Sequence, residues 1–155
     1  MKDRVEALRY FILENFPNKK NDQERLDLYM HMFAVSQFCA MIALKRNQNV
    51  DLAVMAGLLH DLYTYKTLDP EKHAKKGAVL AREILEALDL TTDEETEKIC
   101  SAIHSHSKKK NKHSDFTEVL VDADVLQHYL YNPALPIIEK DKERLKKLLK
   151  EFKLR

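Results

Sequence analysis

The sequence predicts an all-α protein, a single-domain bundle of six or seven helices spanning 1–155, and three observations carry that expectation. Its 155 residues include only two glycines and four prolines, which leaves little material for the tight turns of a β-rich fold. Apolar residues recur at steps of three and four along most of the chain, whereas no segment of useful length alternates apolar with polar. With 45% hydrophobic and 33% charged residues, a chain of this length can bury one core without covalent staples.

Val5, Leu8, Phe11 and Ile12 give a first helix over 2–15 its apolar stripe, and Phe16-Pro17-Asn18 ends it. Asn21 or Asp22 caps a second helix running to about Asn47, with Leu28, Met32, Val35, Cys39 and Ile42 on its inner face. A third, strongly hydrophobic helix covers 50–62, between Asn47-Gln48-Asn49 and a loop at 64–69. Asp69 followed by Pro70 reads as a cap and first turn, opening a fourth helix that reaches Leu88 through Ala78, Ala81, Ile84 and Leu85. Thr91-Thr92-Asp93 opens a fifth helix, to about Ser107. A polar, basic loop at 108–114 leads to a sixth helix, 115–131, which Asn132-Pro133 stops. The last helix, 138–152, sets Leu145, Leu148, Leu149 and Phe152 on one face and lysines on the others.

Charge excludes little. With 26 basic and 25 acidic residues, no global field argues for nucleic acid or a membrane surface. The N-terminal MKDRVEALRYFILENF interrupts its apolar residues with charges, so it reads as neither a signal peptide nor a membrane span, and cytoplasm is the expected location. Cys39 and Cys100 sit in helix-patterned stretches and read as buried free thiols in a reducing compartment.

Histidine and aspartate placement is more informative. His31 shares the apolar stripe of the second helix with Leu28 and Val35. His60 follows Ala56 and Gly57, small residues that let another helix come close, and Asp61 follows directly. Asp122 and Asp124 interrupt the otherwise apolar run VLVDADVL. A carboxylate inside an apolar helix is costly unless paired or bound to a cation. Imidazoles and carboxylates converging from separate helices suit a divalent transition metal.

His31, then AGLLHD ending at Asp61, then DADVL containing Asp124, resemble the H…HD…D pattern of HD-superfamily metal-dependent phosphohydrolases over about residues 25–131. The resemblance implies an HD-type helical bundle with His31, His60, Asp61 and Asp124 as metal ligands, Asp124 rather than Asp122 matching the family's aspartate. Val125 stands where a basic residue often follows that aspartate. Some subgroups add histidines for a second ion. His73, in HAKKGA, resembles the first of these, and the second is His104 or His106. Those two lie about 200° apart around a helix, so one alone faces inward. His106, following Ala102 and Ile103 on the apolar side, is the choice.

The implied chemistry is hydrolysis of a phosphomonoester or phosphodiester, in a nucleotide or related small phosphorylated metabolite. One or two divalent ions (Fe, Mn, Zn, Co, Ni or Mg) would generate hydroxide and neutralise phosphoryl oxygens, two ions sharing Asp61 at a separation of roughly 3.5–4 Å. Lys66, after Asp61, is the expected auxiliary catalytic and phosphate-contacting residue, and Lys109, after His106, a second phosphate contact. His128 lies on the face of Asp124 and reads as a hydrogen-bonded core histidine; His113 reads as solvated, and Asp122 as an orienting or capping group. Two alternatives stay open: a di-iron oxygenase on the same fold, and a catalytically silent, metal-stabilised nucleotide-binding module. A homo-oligomer is compatible with the sequence.

Overall fold

A computed structural model describes residues 3–154. Among these are eight α-helices and no strand: α1 (Arg4–Asn15), α2 (Gln23–Lys45), α3 (Val50–Leu59), α4 (Leu62–Thr67), α5 (His73–Leu88), α6 (Asp93–Ser105), α7 (Asp115–Tyr131) and α8 (Lys142–Glu151), the last preceded by a 3₁₀ turn at Glu139–Asp141. Lys2, expected as the first residue of α1, lies outside the described residues. Local chemistry sets most of the starts. Asp3 accepts from the amides of Val5 and Glu6 at 2.9 and 3.1 Å, Asp22 from that of Arg25, and Ser114 from that of Thr117. Thr92 and Glu95 exchange bonds in a capping box.

Two boundaries depart from the periodicity. The expected third helix stops at Leu59 and resumes as α4, which occupies much of the expected 64–69 loop; taken as one interrupted helix, α3 and α4 bring the count to seven. The break falls at Asp61, whose φ of −116° and ψ of 11° lie in the bridge region between helix and strand. The second departure is α5, which begins at His73 rather than Asp69. The Asp69 carboxylate instead accepts from the Glu71 amide at 2.9 Å, and Lys72 adopts a left-handed φ of 52° that delays the helix.

The centre of the bundle is α3, buried from Leu52 through Leu59, as expected of a helix apolar on every side. It packs against α2, α6 and α7, while α5 lies on α6. Contact between α2 and α3 is backbone-close: a Cβ on Gly57 would stand 2.6 Å from Ser36 Cα and 2.9 Å from its nitrogen. By length and composition α2 is apolar enough to cross a membrane. Here its Met32, Val35, Cys39, Ile42 and Ala43 are buried, and the helix packs on α3 and α7. Both cysteines are buried free thiols.

Against α7 rests α8, its Leu145 and Leu148 meeting Val125 and Leu126 in a small second cluster. Charged residues fasten it. Arg46 at the end of α2 pairs with Glu151 at 2.7 Å and with Asp122 at 2.8 Å. Arg144 pairs with Glu118 and with Asp122, the latter at 3.0 Å.

Candidate metal centre

Five histidines from five elements turn one ring nitrogen, Nε2, towards two carboxylates. His31 of α2 lies 3.1 Å from Asp124 Oδ1 and 3.4 Å from Asp61 Oδ2. His60, at the C-cap of α3, lies 3.3 Å from Asp61 Oδ2. His106, at the C-cap of α6, and His73, the first residue of α5, approach the other oxygen, Asp61 Oδ1, at 3.5 and 3.9 Å. His128 of α7 lies 3.4 Å from Asp124 Oδ1.

In every case the opposite nitrogen is already engaged. Nδ1 lies 2.6 Å from Gln127 Oε1 for His31, 2.7 Å from the Gly57 carbonyl for His60, and 3.2 Å from the Pro70 carbonyl for His73. For His106 it lies 2.6 Å from the Ile103 carbonyl, and for His128 2.7 Å from Asp141 Oδ2. Oxygen acceptors make Nδ1–H the donor and leave the Nε2 lone pair facing inward, the arrangement that orients imidazoles for metal ligation. Three of these bonds run to the carbonyl three residues earlier, at a helix end or turn, and for His73 and His106 that carbonyl also accepts the histidine's own amide.

The helix break explains why Asp61 joins in. Successive residues of an unbroken helix project about 100° apart, which would carry the Asp61 carboxylate away from the His60 ring. At the break it turns back and faces two histidine pairs, one on each oxygen. Asp61 Oδ1 and Asp124 Oδ1 are buried without a hydrogen-bond donor. An anionic oxygen in that condition is costly unless a cation meets it, so the donor set fits a metal. Three donor groups are close enough to hold an ion: His31–His60–Asp61, Asp61–His73–His106 and His31–Asp124–His128.

The electrostatics agree. Burial raises the Asp61 carboxyl, yet the charge of His60 and the neighbouring imidazoles of His106 and His31 hold it well below the usual carboxylate range. Burial opposes ionisation of Asp124 also, and Lys109, His31, His60 and His128 overcome it. For His31 burial lowers the pKa, but Asp124 and Asp61 outweigh it and push the imidazolium up to about 10. Burial pushes the Cys39 thiol up, so it is not a nucleophile.

The sequence-predicted residues divide clearly. His31, His60, Asp61, His73, His106 and Asp124 come together. His104 is exposed and His106 is 2% exposed, which settles which of the two faces inward. Lys109 is 5% exposed, with its ammonium on Asp124 Oδ2; it is a buried partner of the centre rather than a residue displayed on a loop. It brings a positive charge to Asp124 from the α6–α7 loop, where neighbouring Val125 has none. Lys66 is exposed on α4, its carbonyl taken by Arg25 at 3.4 Å. Its expected catalytic and phosphate-binding place is thus not matched by a contact with the cluster. Asp122 faces Arg46 and Arg144, not the histidines. His113 is half-buried and 2.9 Å from the Lys108 carbonyl, so it braces the loop rather than being merely solvated.

Sequence reasoning missed the connection from His128 to Asp141, the Gln127 support of His31, and the role of Arg144. The last hydrogen-bonds the carbonyls of Lys109 and Asn111, fastening the loop that delivers Lys109. A four-residue step from Asp124 was the signal for His128; Asp141 carried none.

Comparison with known proteins follows the same lines. The profile of the HD domain family matches residues 28–146. The ribonuclease Y of Lawsonia intracellularis (strain PHE/MN1-00) is 33% identical over 122 residues, 76% of this chain, and the match covers 21% of that protein. The chain thus spans about a fifth of the length of that relative. A crystal structure of a predicted HD superfamily hydrolase from an uncultured Thermotogales bacterium is 19% identical and superposes over 99% of this chain and 90% of that one, with a TM-score of 0.59.

Proposed function

Because this chain belongs to the HD domain family, we propose that it is a metal-dependent phosphohydrolase acting on a small phosphate ester, a nucleotide or a related metabolite. The observation that carries the reading is Asp61: its two oxygens face different histidine pairs, Oδ2 towards His31 and His60 and the buried Oδ1 towards His73 and His106. With these four histidines, Asp61 would hold divalent ions. Divalent ions held there would supply hydroxide at neutral pH and positive charge against the phosphoryl oxygens.

The chain's own residues do the rest. His31, His60, His73 and His106 present lone pairs fixed by their Nδ1 partners. Lys109 holds Asp124 Oδ2, leaving Oδ1 for the centre. No side-chain nucleophile is required, and burial takes Cys39 out of contention. The name of the ribonuclease Y relative raises an RNA phosphodiester as a second substrate class. Against it stands the large cavity beyond the Lys109 loop, about 1050 Å³, where Asp115, Glu118, Glu139 and Glu143 interrupt the lysines. A nucleic-acid track is predominantly basic, and this mixed lining does not form one. The buried reduced thiols fit a cytoplasmic setting.

The test begins with metal content per chain, measured by elemental analysis on protein purified without chelator or histidine tag. It continues with product release from bis-p-nitrophenyl phosphate, p-nitrophenyl phosphate, dinucleoside polyphosphates and a short RNA, with oxygen uptake followed in parallel. Metal-dependent release of phosphate or nucleotide that Asp61→Ala abolishes is the expected result. Oxygen consumption with iron alone would replace the proposal with an oxygenase. Absence of turnover under every metal, despite nucleotide binding, would replace it with a binding module.

A further inference from the structure

His128 has no place in the ligand set drawn from the sequence, yet it is built as the other four histidines are. Its Nε2 faces Asp124 Oδ1 at 3.4 Å, the same donor-less oxygen that lies 3.1 Å from His31. Its ring stacks on that of His31, with centroids 5.5 Å apart and planes 16° apart, so the two Nε2 atoms address one point from the same side. Its Nδ1 is held at 2.7 Å by Asp141, a carboxylate that is 2% exposed. A buried carboxylate behind an imidazole fixes the ring and raises its basicity as a ligand. Asp141 lies at the start of α8, next to the second hydrophobic cluster, and has no other evident reason to be buried there.

An imidazole nitrogen has one lone pair, so His31 serves a single ion. The groups His31–His60–Asp61 and His31–Asp124–His128 meet at His31, whose Nε2 lies 3.4 Å from Asp61 Oδ2 and 3.1 Å from Asp124 Oδ1, so one ion would draw on both. We propose that His128 is a ligand of this ion, oriented by Asp141, and that the centre is asymmetric. One ion has five protein donors: His31, His60, Asp61 Oδ2, Asp124 Oδ1 and His128. The other has three: Asp61 Oδ1, His73 and His106. The first position is nearly saturated and binds tightly; the second is open and exchanges. The inference deepens the function proposed above and rests on its metal centre.

The experiment uses the full chain, stripped with chelator, and titrates Co²⁺ alone by calorimetry and visible absorption. Wild-type protein is expected to take two ions with separable affinities. The tighter should show the weak visible band of five or six donors rather than the intense band of a four-donor site. His128→Gln should weaken the tight step by about tenfold or more and Asp141→Asn by about tenfold, while His73→Ala removes only the loose step. Circular dichroism in the absence of metal reports whether each variant folds. An intense four-donor band in the wild-type tight site overturns the proposal whatever the variants do, as does wild-type affinity in folded His128→Gln. Absence of any Co²⁺ binding by wild type would instead bring down the metal centre itself.

Discussion

Among the inward-facing histidines, His31 is the one whose pKa its carboxylate neighbours push far up, against its burial. Its pKa of about 10 lies above that of an unfolded histidine, about 6.5. In the metal-free protein this contributes stability that is complete below the unfolded value and is lost as pH rises through about 10. Metal binding runs the other way, since the ion must displace that proton. Calorimetry at pH 7.5 in buffers of different ionisation heat should show about one proton released from this site, and affinity should climb about tenfold per pH unit up to the pKa. No proton release would place the ion elsewhere. Lys109 is the second sensitive point of the centre: Lys109→Met leaves Asp124 buried without its ammonium and should cost about 3–5 kcal/mol in urea unfolding of the chelator-treated protein. His106→Ala should lower metal stoichiometry and His104→Ala should not, a contrast readable in one elemental analysis. At this scale the sequence was informative wherever a polar residue interrupted an apolar face, as His31, His60 and Asp124 do. It named Lys109 as a phosphate contact but not as the buried partner of Asp124, because nothing in a run of lysines distinguishes the one that turns inward.

Among the elements, the α2–α3 contact has the smallest tolerance. Gly57 lets the helices approach until Ser36 lies where a Cβ would go, and the Gly57 carbonyl also orients His60. Gly57→Ala gains up to about 1 kcal/mol of helix propensity but must push the two backbones apart, an overpacking cost of about 1–3 kcal/mol. The net loss should appear in thermal unfolding, with weaker metal binding, because His31 and His60 ride on the helices being separated. An unchanged melting temperature and metal affinity would show that the helices slide apart freely. Helices themselves were legible from spacing and caps. The break at Asp61 was not, since LLHDLYTY continues a helical pattern without glycine or proline. Tertiary demand decides there, two adjacent residues being bent to one point. The late start of α5 was hidden by Asp69-Pro70, whose turn chemistry imitates a helix cap.

For the molecule as a whole, the C-terminal helix matters more than its lysine-rich sequence implies. Arg144 fastens the loop carrying Lys109, and Asp141 holds His128. Arg144→Leu should therefore lower turnover without removing the histidine ligands, with faster amide hydrogen exchange at 108–114 as its structural signature; an unaltered exchange rate there would count against the tether. The sequence offered α8 as an amphipathic cover and no more, because an arginine's partners thirty residues away leave no local trace. The five inward nitrogens come from α2, the end of α3, α5, the end of α6 and α7, so almost the length of the chain meets at one place. A bound ion there would act on the chain as a set of crosslinks does, closing several long loops at once and withholding the entropy that unfolding would otherwise release. Trypsin, which has lysines in abundance to attack, should then cut the loaded protein at a rate set by ion escape.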